Sequence, residues 1–192
     1  MRVDVAGLER LVPGRTYLFV ANHQSIYDIP ILFWSLPYQL RIIAKESLGR
    51  VPFLGWHLRR TGHMLVDRRR PDRAAIFSWA SRLTLKKLSL IVFPEGTRSR
   101  DGRVRRFKRG GFYVALEAGM PVVPVSVIGS RHVMLKGRLA TYPGRVRLIV
   151  HDPIDTSELS GTDPKAFAER VRQILAPDAE ADEPHDDVYS RA

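Results

Sequence analysis

Apolar residues recur along the chain in two forms, as short and almost unbroken runs and as stretches with an apolar position every three or four residues. The runs at 16–21, 40–44, 63–67, 88–93, 122–128 and 145–150 have the length and composition of strands. The spacing predicts helices over 26–36, 71–87, 110–118 and 164–175. Pro30 falls in the first turn of the first helix, where proline is tolerated, and Pro37 ends it. Ile76, Ala80 and Leu83 give the second helix one apolar stripe; Phe167, Val171 and Ile174 do the same for the last. Gly119 closes the third. The run at 88–93 is apolar nearly throughout, as a central parallel strand covered on both faces would be. Residues 1–15 offer a Pro13-Gly14 turn and no element. Strand and helix patterns alternate through the whole body. The expected fold is therefore α/β, a single domain with a largely parallel or mixed central sheet and helices on both faces.

Composition narrows this picture. The chain has 192 residues, 44% of them hydrophobic, enough for one domain with a proper core. It has no cysteine, which excludes disulfides, thiolate catalysis and Cys-bound zinc. The formal charge is +11, unevenly spread. Six acids and one base in 177–192 leave that segment at −5, so the rest carries +16. Residues 1–176 are expected to form the domain and 177–192 an acidic, disordered tail. A body this basic calls for an anionic partner: nucleic acid, an anionic membrane surface or a phosphorylated substrate. No long apolar core marks a signal peptide near the start, and no run approaches the roughly 18 apolar residues of a membrane-spanning helix.

Candidate chemistry gathers at predicted strand ends. The first strand leads into Asn22 and His23, with Asp28 five residues beyond His23 in the next helix. A carboxylate there can accept the Nδ1 proton of the imidazole and leave Nε2 as a general base. Ser25-x-x-Asp28 is equally a helix capping box, so the pair has a purely structural reading as well. The second strand delivers Lys45. The fourth ends in Pro94-Glu95-Gly96-Thr97-Arg98, followed by a stretch with seven bases in the twelve residues 98–109. Ligands of open α/β sheets sit outside the carboxyl ends of the strands, so parallel strands would bring these groups to one crevice. Gly96 permits close backbone approach, and Arg98 offers a fork suited to phosphate. A plain turn after a strand is the structural alternative. Residues 47–56 are rich in large apolar side chains yet broken by Gly and Pro. They read as a buried loop or short helix, or as an apolar lip for a lipid chain. His57, His63, His132 and His151 show no ligand spacing with carboxylates, and no metal is implied.

Together these blocks resemble the glycerolipid acyltransferase family. Asn22-His23 with Asp28 is similar to its first block, and Phe93-Pro94-Glu95-Gly96-Thr97-Arg98-Ser99 to its third. Lys45-x-x-Leu48-x-x-x-Pro52-x-x-Gly55 with Asp67-Arg68 resembles the second, and Val123-Pro124-Val125 the fourth. Phe107-Lys108-Arg109-Gly110 resembles the stretch that follows the third. The resemblance covers about residues 16–130. It implies that His23 is the base and Asp28 its orienter. It implies further that Glu95, Gly96, Thr97 and Arg98 bind a glycerol phosphate acceptor, with Lys45 and Arg68 supporting the phosphate. Acyl-CoA or acyl carrier protein would be the co-substrate, with no other cofactor. The acceptor would be 1-acylglycerol 3-phosphate, or alternatively another lysolipid or a glycolipid. Family members often carry an apolar or amphipathic segment ahead of the first block; the 22 residues before His23 form none. The basic body and the apolar stretch at 51–56 give the expectation of peripheral contact with an anionic membrane, at the cytoplasmic face of the cell membrane. A nucleic-acid-binding protein is the remaining rival, supported by the basic stretch alone, without a recognition helix or aromatic platform. No nucleic acid is expected as partner.

Overall fold

A computed structural model describes residues 1–67, 70–99, 101–134, 141–159 and 161–181. Among the described residues, seven strands form one sheet in the order β1-β7-β6-β2-β5-β3-β4. The strands are β1 (Arg2–Ala6), β2 (Leu18–Ala21), β3 (Leu40–Lys45), β4 (Met64–Val66), β5 (Ser89–Val92), β6 (Val122–Ile128) and β7 (Arg145–Val150). All neighbours are parallel except β6 and β7. The central strand β2 lies between β5 and β6, with Leu18 level with Leu90 on one side and Val122 on the other.

Side chains alternate across the pleat, and each face finds its own cover. Leu18 and Val20 of β2 point to a core built with α3 (Arg73–Leu85), α4 (Gly110–Ala118) and α6 (Pro164–Glu180). Phe19 and Ala21 point the other way, to α1 (Asp28–Ser35) and α5 (Ser130–Val133). Helices on both faces of a mixed sheet are the α/β arrangement expected. A short helix α2 (Leu54–Arg60) follows a 3-10 turn at Glu46–Arg50, so the 47–56 stretch forms a turn and the start of a helix.

Two expectations need correction. Residues 1–15 are not featureless: β1 pairs in parallel with β7, with Val3 and Val5 packed against the core and Arg2, Asp4 and Ala6 exposed. The last helix does not stop at 175, and residues 177–181 are not a tail. α6 runs to Glu180, and its buried stripe is Phe167, Ala168, Val171, Leu175 and Ala179, with Ile174 only half-buried. Pro177 sits inside the helix. Its missing N–H costs a bond only to the carbonyl of exposed Gln173, which water can satisfy.

Candidate active site

β2, β5 and β3 are mutually parallel, so their carboxyl ends share one edge of the sheet. His23 follows β2, the 94–99 turn follows β5, and Lys45 ends β3. Asn22 fixes the exit of β2. Its side-chain amide donates to Val127 O at 2.8 Å and accepts from Val127 N at 2.7 Å, continuing the β2–β6 ladder with a side chain.

His23 Nδ1 donates to Asp28 Oδ2 at 2.8 Å. The carboxylate can only accept, which sets the tautomer and turns Nε2 into the available base. Asp28 is fully buried, and the His23 side chain is 15% exposed. The imidazole also stacks on Phe93, with ring centroids 4.3 Å apart. Asp28 Oδ2 takes two further N–H groups, from Gln24 at 2.8 Å and Ser25 at 2.9 Å. The Ser25 contact has the spacing of the capping box read in the sequence, but the N-cap of α1 is Tyr27 and no side chain caps it; Asp28 closes the turn ahead of the helix and holds the imidazole with the same oxygen.

The turn after β5 is bonded directly to this pair. Ser99 N donates to His23 O at 2.7 Å, and His23 N donates to Glu95 Oε1 at 2.8 Å. Glu95 Oε2 accepts from Arg105 N at 3.1 Å. Glu95 is buried, and burial pushes its carboxyl pKa up, while the two N–H groups and His23 pull it back. Among the residues implied to bind the acceptor, Glu95 is therefore turned inward and tethers His23 to the basic loop. Gly96, Thr97 and Arg98 are placed outside it, Thr97 exposed and the other two half-buried. Gly96 has φ +72°, and a Cβ there would stand 2.8 Å from Lys108 Nζ. The turn needs glycine for its conformation, and the flexible end of Lys108 lies over it. Lys108 was not singled out as a site residue, although it lies in the Phe107–Gly110 block; its backbone N–H donates to Pro94 O at 2.9 Å.

Lys45 is exposed at the end of β3, one strand beyond β5. Arg68 lies outside the described residues. The structure thus brings together His23, Asp28, Glu95, Gly96, Thr97 and Arg98 at one sheet edge. Gln24 is the other residue that sequence reasoning missed. It is buried, and its Nε2 donates to Gly102 O at 3.2 Å and Ala179 O at 3.3 Å, tying the site to the basic loop and to α6.

A buried carboxylate bonded to an imidazole, beside a glycine turn that carries Arg98 and is overlain by Lys108, has the chemistry to activate a hydroxyl near an anionic group. Comparison with known proteins gives the family. The acyltransferase family model matches residues 2–128. A chloroplastic 1-acyl-sn-glycerol-3-phosphate acyltransferase of Brassica napus is 36% identical over 156 residues, covering 80% of this chain and 45% of that protein. The alpha 1-acyl-sn-glycerol-3-phosphate acyltransferase of Bos taurus is 33% identical over 177 residues, covering 91% and 62%. The crystal structure of PlsC, the 1-acyl-sn-glycerophosphate acyltransferase from Thermotoga maritima, superposes with a TM-score of 0.80 at 33% identity, over 93% of this chain and 71% of that one. The chain belongs to the acyltransferase family. It spans about half the length of the curated relatives it matches.

Proposed function

We propose that the protein transfers a fatty acyl group from acyl-CoA or acyl carrier protein to the sn-2 hydroxyl of 1-acylglycerol 3-phosphate, giving phosphatidic acid. The observation that carries this reading is the His23–Asp28 bond of 2.8 Å, joined through His23 N–H and C=O to the turn that presents Arg98. His23 Nε2 takes the hydroxyl proton as the oxygen attacks the thioester carbonyl. The tetrahedral intermediate then collapses, the C–S bond breaks, and the imidazolium returns the proton to the leaving thiolate. The imidazolium is stabilised meanwhile by buried Asp28. Gly96, Thr97 and Arg98 bind the acceptor phosphate, Arg98 through two N–H groups, with Lys45 and Arg68 supporting it. Glu95 serves by holding the His23 backbone. No cofactor beyond the acyl donor enters. The relatives' names specify this acceptor, and the basic character of residues 98–109 fits it.

The acceptor is a membrane lipid, so the reading places the protein peripherally on an anionic membrane, at the cytoplasmic face. A panel of lysolipids and monoacylglycerol, offered with acyl-CoA and with acyl carrier protein and read by product mass, tests the proposal. Phosphatidic acid should dominate. Acylation of a different lysolipid or of a glycolipid in its place would overturn the acceptor assignment, and no acyl transfer to any acceptor would overturn the activity.

A further inference from the structure

We propose that the arginine-rimmed aromatic surface at the start of α2, centred on Phe53 and Trp56, is the face that docks on an anionic lipid bilayer. The assignment deepens the lipid-acceptor reading and rests on it for its biological meaning, though docking itself can be measured without it.

The surface is built into the fold. The 3-10 turn Glu46–Arg50 and α2 press together so closely that a Cβ on Gly55 would lie 2.2 Å from Gly49 O. Arg59 Nη1 donates to the same carbonyl at 2.8 Å. That clasp closes the loop of residues 51–54 on itself. Phe53 adopts φ 61°, a conformation an aromatic L-residue takes only under constraint, and its side chain stands 89% exposed. Trp56 is 64% exposed, and Val51 and Leu54 are exposed beside it. A monomer in water gains nothing from holding such groups outward against backbone strain.

The charges around these groups select the partner. The depression here, of about 590 Å³, is lined by Val51, Phe53 and Trp56 with Arg50, Arg59 and Arg60 and, among the described residues, by no carboxylate. The Arg60 guanidinium lies 5.4 Å from the Trp56 ring centre. Aromatic side chains that reach the acyl boundary, ringed by arginines at headgroup level, suit an anionic bilayer. The rings of His57 and His63, 6.4 Å apart, extend the face toward Phe33 of α1, which meets His63 edge-on at 5.9 Å.

Its position connects it to the site. The turn follows Lys45 directly, on the same carboxyl edge as His23, with β5 between β3 and β2. Two strand spacings, about 10 Å, separate the ends of β3 and β2.

The test is co-sedimentation of the full chain with phosphatidylcholine vesicles and with vesicles containing phosphatidylglycerol, for the parent, F53S/W56S, R50Q/R60Q and, as control, L85S. Leu85 is 85% exposed at the end of α3. The parent should bind the anionic vesicles in a salt-sensitive manner. Both double variants should lose roughly tenfold or more of that binding at unchanged Tm, and L85S should lose none. F53S/W56S should also lose turnover of vesicle-borne acceptor while keeping kcat/KM for a short-chain, water-soluble acceptor. Parent-like vesicle binding by F53S/W56S would overturn the proposal. So would a raised KM for acyl carrier protein with vesicle binding intact, which would give the face to the donor protein. Loss of vesicle binding in the variant, with no acyl transfer by the parent, would keep the docking face and remove the proposed activity instead.

Discussion

Asp28 does more than orient an imidazole, and its two duties can be separated by mutation. Its Oδ2 receives N–H groups from His23, Gln24 and Ser25 within 2.9 Å, at a position without solvent. His23→Ala removes the base and its stacking on Phe93, and leaves Asp28 Oδ2 with the Gln24 and Ser25 N–H groups. It should lower kcat by roughly 10²–10⁴-fold with Tm near the parent's. Asp28→Asn keeps an acceptor oxygen but removes the charge and buries an amide that needs partners. It should lower kcat and also cost about 1.5–3 kcal/mol of stability. Kinetics beside thermal denaturation check both; an Asp28→Asn protein melting with the parent would show that the backbone N–H groups do not depend on the carboxylate. Arg98 is tested by comparison. Lysine gives a point charge where arginine gives a fork, so Arg98→Lys should lose about ten- to a hundredfold in kcat/KM for the phosphorylated acceptor, the worth of one charge-assisted hydrogen bond. The KM for the acyl donor should stay unchanged. Exposed Arg103→Lys should match the parent throughout. Equal losses in the two variants, or none in either, would remove Arg98 from the phosphate site.

At the scale of elements, α6 is the part whose role the sequence concealed. An acidic segment containing Pro177 reads as a disordered tail, yet the last turn of the helix is fastened to three parts of the molecule. Asp178 Oδ2 meets Ser126 Oγ and His151 Nε2, each at 3.3 Å; Ala179 O accepts from Gln24; and Glu180 Oε1 accepts from Val104 N at 3.0 Å. A chain ending at residue 176 should therefore melt well below one ending at Ala181. It should also lose turnover, because Gln24 adjoins His23 and Val104 lies in the loop that Glu95 holds. Equal melting temperatures and rates for the two chains would make these contacts dispensable. The other elements were legible to the extent that their signals are local. Six apolar runs became six strands: β2, β5 and β6 are buried on both faces and need that composition, while β7 shows its strand through alternating exposed and buried positions. β1 escaped notice because it is an edge strand with charged alternate positions, and its partner β7 lies some 140 residues away. The site was half legible for the same reason. His23, Lys45 and Glu95 could be placed at strand ends from the runs before them, and their meeting follows only from the sheet order. No local pattern discloses that Glu95 faces inward to two backbone N–H groups, or that Lys108 overlies Gly96.

For the whole molecule, burial of histidine should make stability depend on pH. His63 is neutral in the fold: burial, then Arg41 and His57, push its pKa down to about 4 from the ordinary 6.5. Its Nδ1 accepts the Ile42 N–H at 3.1 Å, a role the protonated ring could not fill. In the unfolded chain His63 binds a proton below about pH 6.5, whereas in the fold it does so only below about 4. Protons therefore favour the unfolded state between those values, and stability falls as pH drops through that window. His151 is shifted the same way by burial, with Asp178 opposing. Glu95, raised by burial, contributes with the opposite sign. His63→Asn isolates the first effect, since its side-chain oxygen can accept the Ile42 N–H and does not titrate, while His151 and Glu95 are common to both proteins. Thermal melts from pH 7.5 down to 5 should show Tm falling more steeply in the parent than in the variant, with the curves closest at the upper end relative to each protein's own plateau. Parallel curves across that range would mean that His63 takes up its proton in the fold as readily as in the unfolded chain.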